Sequence, residues 1–402
     1  MTLPVLIAGG GIGGLAAALG LAQKGIATLV LEKASQLGEI GAGIQLGPNA
    51  FHAFDALGIG PAARDLAVYI DNLRLMDALT AEEIARIPLD EAFRARFGNP
   101  YAVVHRGALH GVLLAACEAH ERVTLRTSAA VTGYAQDGTS VTATLASGEA
   151  VTGRALIGAD GLWSAVRAQL AGDGAPRVSG HTTYRSVIPT EEMPEALRWN
   201  AATLWAGPRC HIVHYPLSNW KEFNLVVTYH NDAPEPVAGK PVSHEEVARG
   251  FDHVAPLARE VIEKGRDWKH WVLCDRDPIL DWTDGRAALL GDAAHPMLQY
   301  MAQGACMALE DAVCLADEMG RAGEDPARAL ESYAARRRLR TARVQLQSRE
   351  VGTHVYHPEG AHAALRNTIM AAKTPAEWYD TVAWLYGSNG LDGTCATGGA
   401  DT

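Results

Sequence analysis

A glycine-rich turn between two short apolar segments opens the chain. The apolar segment Pro4–Ala8 runs into the turn Gly9–Gly14. A helical pattern over Leu15–Lys24, closed by Gly25, and a second apolar segment over Ala27–Leu31 follow. Strand, turn, helix and strand in this order form a βαβ unit, because parallel strands need a crossover connection. The N-terminal residues therefore predict an α/β fold built on a parallel sheet.

The spacing of these glycines has a chemical reason. Gly9, Gly11 and Gly14 match the pattern GxGxxG, and Glu32 ends the second apolar segment 18 residues after Gly14. The glycines let a pyrophosphate approach backbone N–H groups at a helix N-terminus, and the acid binds a ribose diol. A purely structural glycine turn would need no such acid. We therefore predict a dinucleotide site for FAD or NAD, and not for NADP, whose 2′-phosphate the carboxylate disfavours.

Size and charge restrict the function classes. At roughly 100–200 residues per domain, 402 residues predict two or three structural lobes. The net charge of −11 argues against binding to nucleic acid or to anionic membranes. Five arginines between residues 336 and 343 are therefore expected on a solvated helix face or an interface. Six glycines interrupt the apolar stretch Val5–Gln23 and no basic residue precedes it, so we expect neither a signal peptide nor a membrane span.

Cysteine and histidine spacing does not indicate metal chemistry. The sequence has no CxxC pair and no HExxH pattern, and we predict no metal site. The cysteines are expected to be reduced thiols in a cytoplasmic protein. They are Cys117, Cys210, Cys274, Cys306, Cys314 and Cys395.

The rest of the chain mixes strand and helix patterns. Arg122–Thr127 and Val131–Thr144 predict a β meander. Between about residues 180 and 280, alternating segments rich in Trp, Tyr, His and Thr predict a mainly antiparallel lobe, which we assign to substrate. After Gly304 the pattern becomes helical, over Ala308–Met319 and from Asp325 to about residue 350.

Two further strand-to-turn junctions carry acidic residues. One apolar strand pattern precedes Asp160-Gly161, and another precedes Gly291-Asp292. Each junction is ambiguous alone, because Asp-Gly is a common turn, whereas an aspartate at such a strand end can also accept a hydrogen bond from a ribitol hydroxyl.

Together, in this order and spacing, the three segments resemble the class A flavoprotein aromatic hydroxylases, which share the para-hydroxybenzoate hydroxylase fold. The resemblance spans residues 1 to about 350. It implies an α/β fold with a Rossmann-like FAD-binding domain, an inserted mainly antiparallel β substrate domain and C-terminal helices. The expected bounds are 1–178 and 278–350 for the FAD-binding domain, with some substrate-lobe strands near 68–104, 179–277 for the substrate domain, and 351–402 for a C-terminal helical segment and tail.

The resemblance also implies a cofactor site. By this resemblance FAD is expected to be bound tightly but non-covalently, and NADH to visit only to reduce the flavin. The family has no separate nicotinamide domain, and this sequence likewise has no second GxGxxG. The first glycine turn and Glu32 would bind the ADP half, Asp160 would lie near both nucleotides, and Asp292 would bind the ribityl chain. Arg106 matches a family position near FAD, although a helix-start arginine is the alternative. The implied cofactor-binding residues are Gly9, Gly11, Gly14, Glu32, Arg106, Asp160, Gly161, Gly291, Asp292, Gly304 and Ala305.

The sequence departs from the common family pattern after the third junction. Most relatives have proline at Gln299, glycine at Ala302 and often asparagine at Cys306. The runs 298–305 and 207–217 are instead similar to the 3-hydroxybenzoate 6-hydroxylases. Residues 39–50 are shared with salicylate-hydroxylase-like enzymes and do not discriminate.

A strand pattern over residues 211–216 presents two polar aromatic side chains together. In a strand His211, Val213 and Tyr215 share one face, and Ile212 and His214 the other. A histidine with a pKa near 6.5 can accept a phenol proton, and a tyrosine hydroxyl can orient it. The spacing alone favours an ordinary sheet with a hydrogen-bonded histidine and a core tyrosine. The resemblance reverses that preference.

The resemblance implies a specific reaction. His211 would be the base, and Tyr215 and Gln299 would orient the substrate hydroxyl or carboxylate. An FAD-dependent monooxygenase would use NADH and O₂ to convert 3-hydroxybenzoate to 2,5-dihydroxybenzoate (gentisate) through a flavin C4a-hydroperoxide. The alternatives are salicylate 1-hydroxylase or another (hetero)aromatic acid monooxygenase, a reductase on the same fold, and a non-enzymatic FAD-binding protein. A homodimer is expected because members of this family are often dimers.

Overall fold

A computed structural model gives the fold and describes residues 3–38, 42–323 and 325–387. Residues 39–41 of the segment shared with salicylate-hydroxylase-like enzymes, Cys395 and the predicted tail after Gly387 lie outside the described residues. The described chain mixes strands and helices, which confirms the predicted α/β class.

The strands are, in chain order, β1 Val5–Ala8, β2 Thr28–Leu31, β3 Gly43–Leu46, β4 Val68–Tyr69, β5 Asn72–Asp77, β6 Glu83–Pro88, β7 Ala102–His105, β8 Val123–Arg126, β9 Val131–Gln136, β10 Val141–Leu145, β11 Ala150–Gly153, β12 Ala155–Gly158, β13 Arg177–Pro189, β14 Ala201–Gly207, β15 Cys210–Leu217, β16 Glu222–His230, β17 Lys240–Pro241, β18 Lys269–Asp275, β19 Thr283–Asp284 and β20 Ala287–Leu289.

The α-helices are α1 Ile12–Gln23, α2 Pro48–Ala56, α3 Gly60–Leu66, α4 Glu91–Phe97, α5 Arg106–Glu118, α6 Ala165–Ala171, α7 His244–Ala248, α8 Pro256–Lys264, α9 Gly304–Arg321, α10 Pro326–Val351, α11 Gly360–Ala371 and α12 Pro375–Tyr386. Short 3₁₀ turns occur at Thr190–Glu192, Glu195–Leu197, Gly291–Ala293 and Gln299–Met301, and a π-helical turn at Gly352–Tyr356.

The first sheet contains the predicted βαβ unit. Its order is β19-β20-β12-β1-β2-β8, and β20, β12, β1, β2 and β8 run parallel. All of β1 is buried, as expected for a parallel strand covered on both faces. The helix α1 begins at Ile12, before the predicted Leu15, because Gly11 is the extended N-cap and Gly13 and Gly14 are already helical. The glycine turn therefore includes the first turn of the helix.

The predicted meander is partly wrong. Strand β8 pairs in parallel with β2 and so extends the first sheet. The antiparallel meander consists of β9, β10 and a third strand, β11, that the sequence pattern did not predict. An apolar strand pattern predicts a strand but does not specify its partner, which is why β8 was assigned to the wrong neighbour.

The second large sheet confirms the mainly antiparallel lobe. Its order is β17-β18-β13-β16-β15-β14-β5-β6, and within it only β14 and β5 run parallel. Strands β5 and β6 come from residues 72–88, far upstream of the others. One face of this sheet packs on α8 through a core that includes Trp205, Phe223 and Trp268.

The helices α9 and α10 pack together beside α1 and carry a buried ion network. Glu310 on α9 accepts hydrogen bonds from Arg337 at 2.7 Å and from Arg340 at 2.7 and 2.8 Å. The side chains of Glu310 and Arg337 are fully buried. The expectation of a solvated arginine face was wrong for Arg337 and Arg340, since the sequence does not reveal their buried acidic partners.

Candidate active site

One cavity of about 620 Å³ brings the predicted site residues together. Its lining combines the ends of β1, β2, β12 and β20 with side chains from β13, β15 and β16. The predicted residues that line it are Gly9, Gly11, Glu32, Arg106, Asp160, Gly161, His211, Tyr215, Gly291, Asp292, Gln299, Gly304 and Ala305.

Gly14 is the predicted site residue that does not line the cavity. A Cβ atom at this position would lie 2.0 Å from the carbonyl oxygen of Gly9. Such an approach is impossible for any side chain, so Gly14 lets α1 pack closely against the turn that precedes it. Its contribution to the site is therefore indirect.

We call the lining formed by Gly9–Gly13, Glu32, Asp160, Asp292 and Gly304 the glycine wall. Gly9 has φ +106°, and a Cβ there would lie 2.4 Å from the carbonyl oxygen of Ala159, so both conformation and space require glycine. The N-terminus of α1 has no side-chain cap, and its N–H groups are available to an anion.

Glu32 is fixed by backbone donors. Its Oε2 accepts a hydrogen bond from the N–H of Gly10 at 2.7 Å, and its Oε1 accepts one from the N–H of Ala34 at 2.8 Å. The carboxylate is thus held at the edge of the glycine turn, where the diol of an adenosine ribose would meet it.

Asp160 is largely committed to capping α6. It accepts hydrogen bonds from the Ser164 hydroxyl at 2.5 Å and from the N–H of Ala165 at 2.8 Å. Burial raises the pKa of Asp160 despite these bonds. The buried Arg167 on the same helix donates to the carbonyls of Ala293 and Ala294 at 3.0 and 2.6 Å. Arg167 therefore links the segment after Asp160-Gly161 to the segment after Gly291-Asp292.

A second uncapped helix N-terminus belongs to the glycine wall. The helix α9 begins at Gly304, and its N-cap, Gln303, makes no side-chain cap hydrogen bond. The exposed Asp292 lies beside it, since a Cβ on Gly304 would be 3.8 Å from Oδ1 of Asp292. Two helix N-termini, from α1 and α9, therefore contribute to one cavity and favour a ligand with anionic or electron-rich groups.

The opposite lining is the sheet wall, which we define by Arg185, His211 and Tyr215 with Gln299 and Tyr356 against them. The predicted alternation along β15 is confirmed. His211, Val213 and Tyr215 line the cavity. His214 points into the other core, where it packs between Trp199 and Phe223 with no hydrogen-bond partner among the described residues.

His211 has a histidine partner that sequence reasoning missed. Nδ1 of His211 lies 2.8 Å from Nε2 of His357, and the two rings stack with centroids 5.0 Å apart. Burial, followed by the charges of His357 and His181, holds the pKa of His211 well below its usual value. Burial, followed by the charges of His181 and His230, lowers the pKa of His357 to about 3. Both imidazoles are therefore neutral at pH 7, and one nitrogen of each ring is an acceptor.

The segment after α10 positions this partner. Gly352 opens the π-helical turn, and a Cβ there would lie 2.7 Å from the ring of Tyr300. This close packing places Tyr356 in the cavity lining and the ring of His357 in contact with the ring of His211. The ring centroid of Tyr356 is 4.8 Å from that of His211. π-Helical turns are rare and often occur at functional sites.

Tyr215 is held between two neighbouring segments. A Cβ on Gly43 would lie 2.5 Å from its ring, and the N–H of Gly43 donates to Oδ1 of Asn224 at 2.8 Å. Asn224 lies directly opposite Tyr215 in the neighbouring strand. Burial raises the pKa of Tyr215, so its hydroxyl stays protonated and able to donate.

Gln299 is committed to protein partners. Its Nε2 donates to the hydroxyls of Thr183 and Thr228, each at 3.1 Å. Its Oε1 accepts a hydrogen bond from Nη2 of Arg185 at 3.0 Å. A guanidinium only donates, so the Gln299 atom facing it must be the oxygen. These bonds occupy both amide donors, so direct donation from Gln299 to a substrate would have to displace a threonine.

The structure adds residues that sequence reasoning missed. Arg185 lies on a long strand that carries no motif, and Tyr356 and His357 lie on a segment that we expected to be helix and tail. The one available signal is the cluster of polar aromatic residues at 354–357 after a long helix. Sequence spacing cannot show that this cluster returns to β15.

Two searches of the described residues gave negative results. Among the residues that the structure describes, no group of three or more His, Cys, Asp or Glu side chains is arranged to hold a metal ion. No helix in the described ranges combines the length and apolar character needed to cross a membrane.

Comparisons with known proteins agree with this geometry. The family described as "FAD binding domain" matches residues 2–348. A 3-hydroxybenzoate 6-hydroxylase of Aquipseudomonas alcaligenes is 56% identical, over 96% of this chain and 98% of its own length. One from Polaromonas naphthalenivorans is 51% identical, over 96% of each chain.

Among solved structures, a single-substitution variant of HpxO from Klebsiella pneumoniae in complex with FAD is similar, with a TM-score of 0.82 and 25% identity over 96% of this chain and 98% of its own. The matches to the two hydroxylases and to HpxO each cover 96% of this chain, whereas the family match ends at residue 348, before Tyr356 of the sheet wall. The chain belongs to the FAD-binding family of flavoprotein aromatic hydroxylases, as the three sequence motifs predicted.

Proposed function

We propose that this protein is an FAD-dependent monooxygenase that uses NADH and O₂ to hydroxylate 3-hydroxybenzoate para to its hydroxyl, giving 2,5-dihydroxybenzoate (gentisate). The observation that carries the proposal is a single cavity with a nucleotide-binding wall and a facing wall of histidine, tyrosine and arginine. The relatives at 56% and 51% identity are named for 3-hydroxybenzoate, which supports this substrate.

The glycine wall fits FAD. Backbone N–H groups at the start of α1 would hold the pyrophosphate, and Glu32 the adenosine ribose. Asp292 would accept from the ribityl chain, and the N-terminus of α9 would face the flavin ring system. Arg106 also lines the cavity and is proposed to contact the cofactor. When bound, FAD supplies electron transfer from NADH and activation of O₂.

His211 is proposed to accept the phenol proton of the substrate. Its Nδ1 faces His357, which leaves Nε2 as the ring nitrogen for the phenol. Because its pKa is lowered, the ring is neutral before substrate binds and has an acceptor ready. A more negative phenol oxygen makes the ring carbon para to it a better nucleophile. Tyr215, kept protonated by burial, would donate a hydrogen bond to that oxygen.

His357 is proposed to position His211. Their nitrogens are 2.8 Å apart, and the proposed role requires Nδ1–H of His211 to donate to Nε2 of His357, because this tautomer leaves Nε2 of His211 as the acceptor. His357 is itself partly exposed, so a proton taken up by His211 has a short route to solvent. Tyr356 and the apolar side chains of Val213 and Val226 would exclude water from the reacting ring.

The proposed function is tested by product analysis. Purified, FAD-loaded protein is given NADH and 3-hydroxybenzoate, with salicylate as the parallel compound, and O₂ uptake is recorded. We expect gentisate in proportion to NADH from 3-hydroxybenzoate alone. Peroxide without gentisate, or equal turnover of salicylate, would contradict the assigned substrate. A stable flavin with no NADH consumption in the presence of either compound would contradict the monooxygenase.

The proposal extends to assembly and location. We propose a homodimer, because four large apolar side chains on α10 and α11 are about half exposed. They are Leu339, Leu346, Leu365 and Ile369.

We also propose a cytoplasmic location, since the five cysteines in the described ranges are free thiols. Light scattering of the wild type and of Leu365→Glu tests the first point, and cell fractionation tests the second. The division into domains at 178/179, 277/278 and 350/351 stays a prediction.

A further inference from the structure

The sheet wall contains a partly buried positive charge without a negative partner among the described residues. Arg185 lies on β13, and its side chain lines the cavity. No carboxylate in the part of the chain that the structure describes forms an ion pair with it. Among the described residues its Nε has no hydrogen-bond partner, and its guanidinium makes one hydrogen bond, from Nη2 to Oε1 of Gln299 at 3.0 Å. A desolvated guanidinium is costly unless an anion satisfies it.

Two fully buried arginines of this protein, Arg337 and Arg167, differ from Arg185 in this respect. Arg337 pairs with Glu310 and Asp311, each at 2.7 Å. Arg167 pairs with Asp173, also at 2.7 Å. Burial lowers the pKa of Arg185, whereas the paired Arg337 has a raised pKa. Arg185 thus lacks the acidic partner that Arg337 and Arg167 have.

The position of Arg185 relative to His211 matches a meta-hydroxylated acid. Across the sheet, Arg185 pairs with Val226, which pairs with Val213. His211 and Tyr215 lie two residues to either side of Val213 on the same face. The guanidinium and the His211–Tyr215 pair therefore border one patch of cavity floor formed by two valines. An apolar floor between an anion site and a phenol site suits an aromatic ring that carries both groups.

We propose that Arg185 binds the substrate carboxylate and that Gln299 positions Arg185 for this. This inference rests on the proposed function and specifies which residue recognises the acid group. Gln299 holds the guanidinium through its oxygen and is itself fixed by Thr183 and Thr228. Its neutral amide orients the charge without cancelling it. A planar guanidinium matches a carboxylate with two parallel hydrogen bonds.

The test separates binding of the acid group from catalysis. Oxidised holoenzyme is titrated with 3-hydroxybenzoate and with the neutral 3-hydroxybenzamide, and the perturbation of flavin absorbance gives each Kd. In Arg185→Met we expect the Kd for 3-hydroxybenzoate to rise roughly ten- to hundredfold and the Kd for the amide to change little. Arg185→Lys should restore part of the preference. The matched control is Arg266→Met, whose half-exposed side chain pairs with Glu192.

Gln299→Glu keeps the shape of the side chain and places a negative charge 3.0 Å from Arg185. We expect this variant to retain FAD and to lose most of the preference for the acid, even if Arg185→Met fails to fold. A Kd for 3-hydroxybenzoate unchanged in the foldable variants, or an equal loss for the amide, would overturn the proposal. Weakened FAD binding with the acid preference intact would assign Arg185 to the flavin and would also overturn it.

If the proposed function were wrong, the binding and product measurements would give a different combination of results. In that case the wild type would still bind the acid more tightly than the amide but would produce no gentisate. A wild type that makes gentisate while Arg185→Met keeps the acid preference contradicts only the assignment of Arg185.

Discussion

The two walls of the cavity are built in different ways. The glycine wall comes mostly from turns at the ends of neighbouring parallel strands, and each of its residues belongs to a local motif. The sheet wall is assembled from β13, β15, a 3₁₀ turn at Gln299–Met301 and a π-helical turn at Gly352–Tyr356. In the proposed function the first wall would recognise groups common to all dinucleotides, whereas the second would recognise one ring. Local motifs suffice for the first task, and long-range packing specifies the second.

The ion network behind the glycine wall should give the largest effect on stability. Arg337→Met leaves Glu310 and Asp311 buried with fewer partners. We expect the free energy of unfolding to fall by about 3–5 kcal/mol. Denaturant titration measures this change.

Arg321→Met is the matched control for that substitution. Arg321 is two-thirds exposed and pairs with Glu318 at the surface, so the expected change is below about 1 kcal/mol. Equal effects for Arg321→Met and Arg337→Met would contradict the assigned role of the buried network.

As the pH falls, the sheet wall should lose stability at a higher pH than the glycine wall does. Burial lowers the pKa of His181 to about 4 and of His357 to about 3, and both rings lie against the His211 region of the sheet wall. Their unfolded value is about 6.5, so the stability they contribute is full above pH 6.5 and is lost as pH falls toward the folded values. Each histidine should cost up to about 1.4 kcal/mol per pH unit in that window.

Asp311, whose carboxylate lies behind the glycine wall, is protonated at a lower pH than these histidines. Burial raises the pKa of Asp311, but His295 and Arg337 outweigh it and hold the value at about 2. Its stabilising contribution is therefore lost only below about pH 4. Hydrogen exchange at pH 5 should show faster exchange in β15 and residues 352–357 than in α9. Uniform exchange across these elements would contradict the difference between the walls.

A change within the glycine wall should affect cofactor affinity alone. Glu32→Gln removes the charge that the N–H groups of Gly10 and Ala34 orient. We expect the Kd for FAD to rise roughly ten- to hundredfold. With saturating FAD, the turnover number should match the wild type, because the sheet wall is intact. A lower turnover number at saturation would show that the two walls are not independent.

The sequence predicted the glycine wall almost completely because its chemistry is local. GxGxxG, Glu32 and the two Asp-Gly or Gly-Asp junctions each need only neighbouring residues, and all except Gly14 line the cavity. The start of α1 was placed too late because glycine lowers helix propensity even where the backbone is helical.

The sheet wall was predicted only where one strand supplied the pattern. The alternation in β15 placed His211 and Tyr215 correctly in the lining. The places of Arg185 and His357 in the site could not be predicted from the sequence. They reach it through strand pairing and a chain reversal, which no sequence periodicity indicates. The hydrogen bonds of Gln299 depend on three separate segments, so its role could not be read from its position.

The most direct test of the proposed chemistry is the coupling of NADH oxidation to product in His211→Ala. The FAD-loaded variant is given NADH, 3-hydroxybenzoate and isotopically labelled O₂, and labelled gentisate is compared with NADH consumed. We predict unchanged FAD content and flavin reduction, with hydroxylation lowered by about 10²–10⁴-fold and peroxide in its place. Labelled gentisate formed at the wild-type rate and in the wild-type ratio to NADH would contradict the role of His211 as the base.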